Sequence, residues 1–488
     1  MDGVVEDMAA VAVRLAEGAG LREVLPDVAD PAVWIALDAE ARHGAWLDGS
    51  WLPAWERTEQ GRTLTDALRR GEELTDGRLA LALCHRDGRI RKRALGRAAG
   101  RPELLPLVVL RCADWAEPVR ETARRLLAEL LDAGAAVRLL PLILRIGRRG
   151  RGDFVADLAA GLLRAAAPGT LAPLYTHTHT HTHTHTHTHR TVRRWAYRLA
   201  VEAGHLSPAE LARAAARDTD MVVQSLCADA TLAAVAEGGA DDDVLETLLG
   251  ARGAHARAAG VTALRRAGRT GRAVEFLGDR AGVVRACARY VVRQGGGDPL
   301  AWYRERCSAA GDLAPGVVSG LAECGERADA YLLRALTSHP VAAVRTRAVA
   351  GLRALDVTDV ERMRELLDDP APGVVREAAL ALVPSARSLD DQWLMARLGP
   401  ERPRAERVAA FRLLHVHDGV VRLRAAIALI DDPDERLRHW ARQAVQRWRP
   451  TADVPRGSAE VGELLDRARP LFSEYVLIRR KWELGLRA

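Results

Sequence analysis

The sequence predicts an all-α fold, an α-solenoid or superhelix of stacked antiparallel helix pairs of about 30 residues each. Two observations predict it. Of the 488 residues, 48% are hydrophobic but only 4% are aromatic, and alanine, leucine, valine and arginine fill the chain. A core of small aliphatic side chains is typical of helix-on-helix packing. The second observation is an internal repeat.

The repeat is clearest in four segments that share one register: VRTRAVAGL, VREAALALV, ERVAAFRLL and LRHWARQAV. Their arginines are Arg345, Arg376, Arg407 and Arg438, each 31 residues after the one before. An alanine follows each arginine by three residues, and Leu or Val follows it by seven, so these apolar residues share one helix face. A second helical stretch lies between the segments. The unit is therefore a helix pair, which buries its apolar face only by stacking on its neighbours.

Noisier copies of the segment extend the repeat towards the N-terminus. They surround Arg91, Arg120, Arg193, Arg257 and Arg285. Three copies place an aspartate six residues before the arginine, in DWAEPVR, DRAGVVR and DPDERLR. This pattern of Asp, often Pro, then Val-Arg, Ala and Leu resembles the HEAT repeats, and among them the short HEAT-like units of bacteria, of the phycobilisome-lyase type. The resemblance covers roughly residues 81–450, and it indicates a fold far more than a function.

The resemblance implies a ladder of Asp and Arg side chains that links neighbouring repeats. The implied ladder residues are Asp114, Arg120, Asp279, Arg285, Arg345, Arg376, Asp432 and Arg438. We expect the Asp to cap the second helix of each pair and the Pro to lie in its first turn. Three departures predict less regular stacking: Gln224 and Ser319 stand where the arginine is expected, and His339 replaces the Asp before Arg345.

The two ends of the chain do not follow the repeat. Residues 1–80 contain sixteen acidic residues against eight arginines, and four of the eleven tryptophans: Trp34, Trp46, Trp51 and Trp55. We interpret this segment as an N-terminal helical cap over the exposed end of the stack, with an aromatic docking platform as the alternative. Residues 451–488 are predicted to be a linker and a capping helix. A membrane-surface helix is the less favoured interpretation, because the segment is short and follows a packed array.

The stretch YTHTHTHTHTHTHTHR contains a Thr-His tract at residues 176–189. Arg120 and Arg193 are 73 residues apart, 11 more than two periods, so the tract is interpreted as a loop inserted between the two helices of one repeat. In an extended chain, the histidines from His177 to His189 would share one side and could face Zn, Ni or Cu. No carboxylate or thiol stands beside them to complete a site, so we expect no physiological metal or cofactor.

The formal charge of +6 comes almost entirely from arginine, since Lys92 and Lys481 are the only lysines. The arginine count alone therefore does not indicate nucleic-acid binding. The densest basic stretch is RIGRRGRGDF, in which Arg148, Arg149 and Arg151 are candidate phosphate contacts. Solvated surface charge is the favoured interpretation of these arginines.

Motifs that carry chemistry are missing from the sequence. It has no GxxxxGK[ST], GxSxG, HExxH or CxxC, and its six cysteines are scattered, which favours reduced, buried thiols. The N-terminus lacks a basic leader region, and no apolar run approaches the ~18 residues of a membrane span. We expect a cytoplasmic monomer that makes no contact with a membrane.

The sequence thus favours a non-catalytic protein–protein interaction scaffold. The alternative is a nucleic-acid-binding or DNA-repair solenoid similar to the alkylpurine DNA glycosylases, a resemblance that implies a Trp and an Asp on a basic face. Trp34 with Asp38, and Asp114 with Trp115, are the two candidate pairs. Trp34 lies in the acidic segment, which disfavours DNA, and the repeat already accounts for Asp114. A third resemblance, to phycobilin lyases, implies a tetrapyrrole partner and has only the repeat to support it.

Overall fold

A computed structural model describes residues 8–25, 27–43, 45–47, 50–175, 186–238, 241–309, 311–452 and 454–486. Over these residues the chain is α-helical with one short β-hairpin, so the predicted all-α class is confirmed apart from that hairpin. The chain divides into two compact units, Met1–Ala256 and Arg257–Ala488.

The first unit begins with an N-terminal group of helices and a hairpin, followed by helices that alternate between two rows. Its helices are α1 (Met8–Ala16), α2 (Leu21–Val24), α3 (Pro31–Glu40), α4 (Glu59–Arg70), α5 (Asp76–Cys84), α6 (Gly88–Leu95), α7 (Leu105–Arg111), α8 (Glu117–Leu130), α9 (Ala133–Gly147), α10 (Asp153–Ala165), α11 (Ala172–Tyr175), α12 (Thr186–Glu202), α13 (Pro208–Arg217), α14 (Met221–Gly238) and α15 (Asp242–Leu249). Helix α16 (Ala254–Arg266) crosses the boundary between the units.

The second unit continues with α17 (Gly282–Gln294), α18 (Pro299–Ser308), α19 (Pro315–Cys324), α20 (Ala330–Leu336), α21 (Ala342–Ala354), α22 (Val360–Glu365), α23 (Pro372–Leu382), α24 (Asp391–Met395), α25 (Arg404–Leu414), α26 (Gly419–Ala428), α27 (Glu435–Arg447), α28 (Ala459–Arg467) and α29 (Glu474–Glu483). Short 3-10 helices lie at Ala54–Arg57, Pro102–Leu104, Pro168–Leu171, Thr270–Phe276, Arg327–Asp329, Leu366–Asp368, Val383–Ser388, Ala396–Leu398 and Arg469–Leu471.

The hairpin consists of β1 (Ala45–Leu47) and β2 (Ser50–Leu52), which pair antiparallel with Trp46 opposite Trp51. The all-α prediction missed it. A sequence signal was present, since Asp48-Gly49 separates two short apolar runs and Asp-Gly favours two-residue hairpin connections.

In the first unit, alternate helices pack side by side. Helices α6, α8, α10, α12 and α14 form one row in which each contacts the next, and α5, α7 and α9 form a second. Each row helix buries residues four apart: Val119, Ala123 and Leu127 in α8, and Val155, Ala159 and Leu163 in α10. The small central alanine lets neighbouring helices approach closely, and the spacing places all three side chains on one face.

The second unit has the same arrangement, with α17, α19, α21, α23 and α25 each in contact with the next. The short helices between them, including α20, α22 and α24, pack on the row helix that follows. The alanines predicted to lie on the inner face are all fully buried, namely Ala348, Ala379, Ala410 and Ala441. The 31-residue register therefore identified the buried face correctly.

The N-terminal helices pack directly on the first helices of the two rows. Helix α3 contacts α5, α7 and α9, and α4 contacts α6. Trp34 and Trp55 are buried, and their indole N–H groups donate to the carbonyls of Val28 at 2.8 Å and Ala41 at 2.9 Å. These two tryptophans therefore belong to the interior and leave no aromatic platform on the surface. The side chains of Trp46 and Trp51 lie outside the described part.

The C-terminal segment, residues 451–488, contains two helices, α28 and α29, where one capping helix was predicted. In α29, Leu477 is buried, while Tyr475 and Trp482 are 73% and 76% exposed. This last helix thus packs through one face and leaves aromatic side chains on the other. Within the described ranges, no helix has the length and apolar character needed to cross a bilayer.

One glycine in the second unit marks a close approach between backbones. A Cβ on Gly316 in α19 would lie 2.1 Å from the carbonyl oxygen of Gly278 and 2.6 Å from that of Asp279. Only glycine fits there without moving the start of α19.

We expect Gly316→Ala to lower the free energy of unfolding by about 1–3 kcal/mol, because the new methyl group must displace backbone. Gly462→Ala in α28 is the control, since its Cβ would meet only Leu486 side-chain carbons at 3.5 Å and beyond. Urea unfolding followed by circular dichroism measures both variants. Equal stability of Gly316→Ala and the wild type would contradict this packing.

Candidate functional site

The charged residues of the repeat make the same two contacts again and again. In the first contact, an arginine in a row helix donates from Nη1 to the backbone carbonyl six residues earlier, just before the helix. The pairs are Arg91 with His85 at 2.8 Å, Arg120 with Asp114 at 3.0 Å, Arg285 with Asp279 at 2.6 Å, Arg345 with His339 at 2.9 Å and Arg438 with Asp432 at 2.8 Å. The arginine thereby holds the turn that leads into its own helix.

Gln224 makes the same contact in α14, where its side-chain amide donates to the carbonyl of Asp218, six residues earlier. The amide supplies the one N–H that this contact needs. Gln224, which stands where the other repeats have an arginine, therefore preserves the turn.

In the second contact, the arginine of one helix binds the carboxylate that precedes a later helix. Three of these pairs are bidentate through Nε and Nη2. The distances are 2.9 and 2.8 Å for Arg91 with Asp114, 2.8 and 2.9 Å for Arg257 with Asp279, and 2.8 Å for both bonds of Arg345 with Asp369. Arg407 also pairs with Asp432. We call the two contacts together the arginine ladder.

The aspartate of the ladder also shapes the turn before its helix. Its Oδ1 accepts the backbone N–H two residues later, from Ala116, Ala281, Ala371 or Asp434. Each of these four donors is the N-cap residue itself. The aspartate therefore does not cap the helix as predicted, but stabilises the turn that precedes the cap.

Two histidines occupy the aspartate position. His85 and His339 accept the N–H of Asp87 at 2.9 Å and of Val341 at 3.1 Å through Nδ1. Nδ1 accepts a hydrogen bond only when it carries no proton. Burial lowers the pKa of His85 to about 4, and the neighbouring arginines Arg86 and Arg91 lower it as well, so His85 remains neutral around pH 7.

The structure changes the assignment of several predicted ladder residues. Asp114, Asp279 and Asp432 bind an arginine of an earlier helix. These arginines, Arg91, Arg257 and Arg407, had been assigned to the repeat but not to the ladder. Arg120, Arg285 and Arg438 receive only the backbone carbonyls of the three aspartates. Arg285 instead pairs with Glu323 on α19. These partners are 22 to 38 residues apart, a separation that one repeat examined alone does not reveal.

Arg376 does not join the ladder, and its exposed side chain pairs with the adjacent Glu377 at 2.7 Å. It follows Asp369 by seven residues instead of six. One extra residue turns a helical side chain by about 100°, so Arg376 faces away from the turn.

The ladder also changes the acidity of its carboxyl groups. Burial raises the pKa of Asp279 and Asp369, but hydrogen bonds from Arg257 and Arg345 and the positive charge of these arginines more than offset this effect. The net result is a pKa below the ordinary value for both groups. These aspartates are ionised and serve as acceptors, which makes them poor proton donors.

The most buried part of the ladder continues into the N-terminal helices. Arg91 and Asp114 have side chains that are 0% and 1% exposed. Arg111 binds Asp114 at 3.0 Å and also Asp38 on α3, and Asp38 pairs with Arg42 at 2.7 Å. This cluster joins α3 to the first row helices through charges that would be costly to leave unpaired.

The two Trp–Asp pairs considered for DNA repair occupy structural positions. Trp34 is 3% exposed, and Asp38 is paired with two arginines. Asp114 is buried in the ladder, while Trp115 is exposed at the surface with Arg91 5.7 Å from its ring centroid. Neither carboxylate is available to a flipped base.

The candidate phosphate contacts lie in the turn between α9 and α10. Arg148, Arg149 and Arg151 are exposed, and within the described residues none of their side chains has a hydrogen-bond or ion-pair partner. The backbone carbonyl of Arg151 accepts a bond from Arg124 at 3.1 Å, which anchors the turn to α8. This turn therefore presents three unpaired cations to solvent.

The cysteines are unpaired, and four of the six are buried. Burial raises the pKa of Cys112, Cys227 and Cys307 to about 12, which keeps these thiols protonated and poorly nucleophilic. Residues 176–185 of the Thr-His tract lie outside the described residues. Residues 186–189 begin α12, so this end of the predicted loop is helical instead. Over the described ranges, no cluster of three or more His, Cys, Asp and Glu side chains could hold a metal ion.

The first unit contains a cleft of about 560 Å³, which the sequence had not indicated. It lies between the α2–α3 segment, the start of α7 and the first turns of α9. Its walls include Leu21, Trp34, Leu105, Leu130 and Leu139. A volume and an apolar lining of this kind are typical of ligand-binding sites.

Comparisons with known proteins do not place the chain in a family. No protein-family model matches it, and a search of curated proteins finds no significant match.

We expect Arg345→Lys to lower the free energy of unfolding by about 1–2 kcal/mol, because lysine cannot make the bidentate bond and the carbonyl bond together. Arg376→Lys is the matched control, since Arg376 occupies the same 31-residue register but lies off the ladder. Urea unfolding measures both variants. Equal losses for the two would contradict a special role for Arg345.

We also expect part of the stability of the first unit to depend on neutral His85. Its folded pKa is lowered to about 4, against about 6.5 in an unfolded chain. The contribution is therefore complete above pH 6.5 and is lost as the pH falls towards 4.

The measurement compares thermal unfolding of the wild type and His85→Asn between pH 7.5 and 4. Asparagine also accepts the Asp87 N–H but does not titrate. The melting temperature of the wild type should therefore fall further between pH 7.5 and 4 than that of His85→Asn. Parallel pH profiles for the two proteins would show that His85 does not contribute in this way.

Proposed function

We propose that this chain is a non-catalytic protein-interaction scaffold whose helix pairs stack as HEAT-like repeats into a solenoid. The observation that carries the proposal is the arginine ladder. In both units, buried arginine–aspartate pairs join one helix to the turn before a later helix. Such contacts favour a continuous stack, and stacks of this kind provide long surfaces for binding other proteins.

The chemistry of the buried polar groups supports a binding role over a catalytic one. Asp279 and Asp369 are ionised and bound to arginine, three buried thiols are held protonated, and His85 is neutral and bonded through Nδ1. None of these groups combines the access and the proton-transfer partner that a nucleophile or general base requires. The cleft of the first unit offers an apolar surface instead.

Nucleic-acid binding is the second candidate function, and one observation favours it. Arg148, Arg149 and Arg151 lie together in one turn, exposed and without partners among the described residues. Unpaired arginines contact phosphates readily, and such binding weakens steeply with salt. Trp34 is buried, and Asp38 and Asp114 are paired with arginines. These contacts disfavour base excision as the chemistry of this alternative.

We expect the full-length protein to capture the same discrete set of protein partners with and without nuclease, as measured by affinity capture and mass spectrometry. The triple variant Arg148→Ser, Arg149→Ser and Arg151→Ser should retain these partners. Partners that disappear after nuclease treatment, and also in the triple variant, would support the nucleic-acid alternative and contradict the scaffold.

The control for this experiment removes the same charge elsewhere. Three exposed arginines of the second unit are changed to serine: Arg436, Arg447 and Arg467. A gel shift with single- and double-stranded DNA at low and high salt then separates the functions. Salt-sensitive binding that only the 148–151 variant loses would establish phosphate recognition.

A further inference from the structure

The charged residues that line the cleft of the first unit differ in whether they have partners in the fold. Arg22 pairs with Glu103 at 2.8 Å, and Arg101 pairs with Asp76 at 2.5 Å. The carboxylate of Asp132 accepts the N–H of Ala135 at 2.6 Å in the first turn of α9. Each of these charges thus has a partner in the fold.

Arg138 differs from the other charged residues that line the cleft. It is exposed on α9, next to the apolar Leu139, and its guanidinium has no hydrogen-bond or ion-pair partner among the described residues. A cation beside an apolar surface attracts an anionic group that arrives together with apolar surface. The cleft therefore discriminates against basic ligands.

The wall of the cleft limits the ligand further. The indole N–H of Trp34 already donates to the carbonyl of Val28 at 2.8 Å. The Trp34 ring is 3% exposed, so it supports the wall from behind and offers the cleft no free donor. Val28 itself is 38% exposed at the edge of the cleft, so apolar side chains can reach the wall from solvent.

We propose that this cleft binds a short peptide segment of a partner protein that combines bulky apolar side chains with an aspartate or glutamate. The apolar side chains pack on Val28 and Leu139, and the carboxylate binds Arg138. The inference rests on the proposed scaffold function and adds the location of one binding site and the chemistry of its partner.

The test selects phage-displayed random peptides on the full-length protein and measures the affinity of the enriched peptides by fluorescence anisotropy. The expected peptides contain at least two large apolar residues and one acidic residue. Arg138→Glu should weaken their binding by about tenfold or more, because the new charge repels the peptide carboxylate. Arg125→Glu, the same change at an exposed arginine of α8 outside the cleft, should leave the affinity unchanged.

A second variant tests the apolar wall independently of charge. Leu139→Trp should fill the cleft and weaken binding, and if it fails to fold, Val28→Trp at the exposed edge replaces it. Enrichment of basic peptides, or affinities that neither the Arg138 nor the wall variant changes, would overturn the proposal.

The same variants separate this inference from the scaffold function. Nuclease-resistant partners that Arg138→Glu and Leu139→Trp both retain at wild-type levels would reject the cleft as their site while leaving the scaffold intact. If no protein partner is captured by the wild type, the scaffold function itself fails, and displayed peptides that still depend on Arg138 would then support the cleft alone.

Discussion

The arrangement of both units depends on a guanidinium group placed three residues after the first residue of a helix. From this position the side chain reaches the carbonyl just before its own helix, and Arg91 and Arg345 also reach the carboxylate that precedes a later helix. Arginine suits this task because its planar fork makes a bidentate bond and still has donors for a carbonyl. Arg91 shows the full set, with Asp114 on one side and the carbonyls of His85 and Arg86 on the other.

The positions of the charged side chains are relevant to the function of the protein. A chain with 71 basic and 65 acidic residues suggests at first a surface for polyanions. In the structure, the most buried of these charges serve the connection between helices, and the groups that resemble catalytic residues are already bonded. What remains for partners is surface: the turn at 148–151, the exposed face of α29, and the cleft beside Arg138.

Sequence analysis predicted the parts of the fold that are periodic. The 31-residue register identified the inner alanines and the helices that bear them, because helical spacing alone decides which side chains share a face. It misjudged Arg376, although the sequence shows that this arginine follows Asp369 by seven residues instead of six. Pairs such as Asp38 with Arg111, and the cleft built from three separate segments, depend on tertiary packing that no local pattern encodes. The Asp48-Gly49 signal for the hairpin was available and was overlooked.

The central claim is that each arginine–aspartate pair of the ladder couples its helix to the turn before a later helix. A double-mutant cycle on Arg257 and Asp279, using Arg257→Gln, Asp279→Asn and the double variant, tests it directly by urea unfolding. The account predicts that the two changes are non-additive, with a coupling energy of about 1–3 kcal/mol. Strictly additive losses would contradict it, because they would mean that the two side chains stabilise the protein independently of each other.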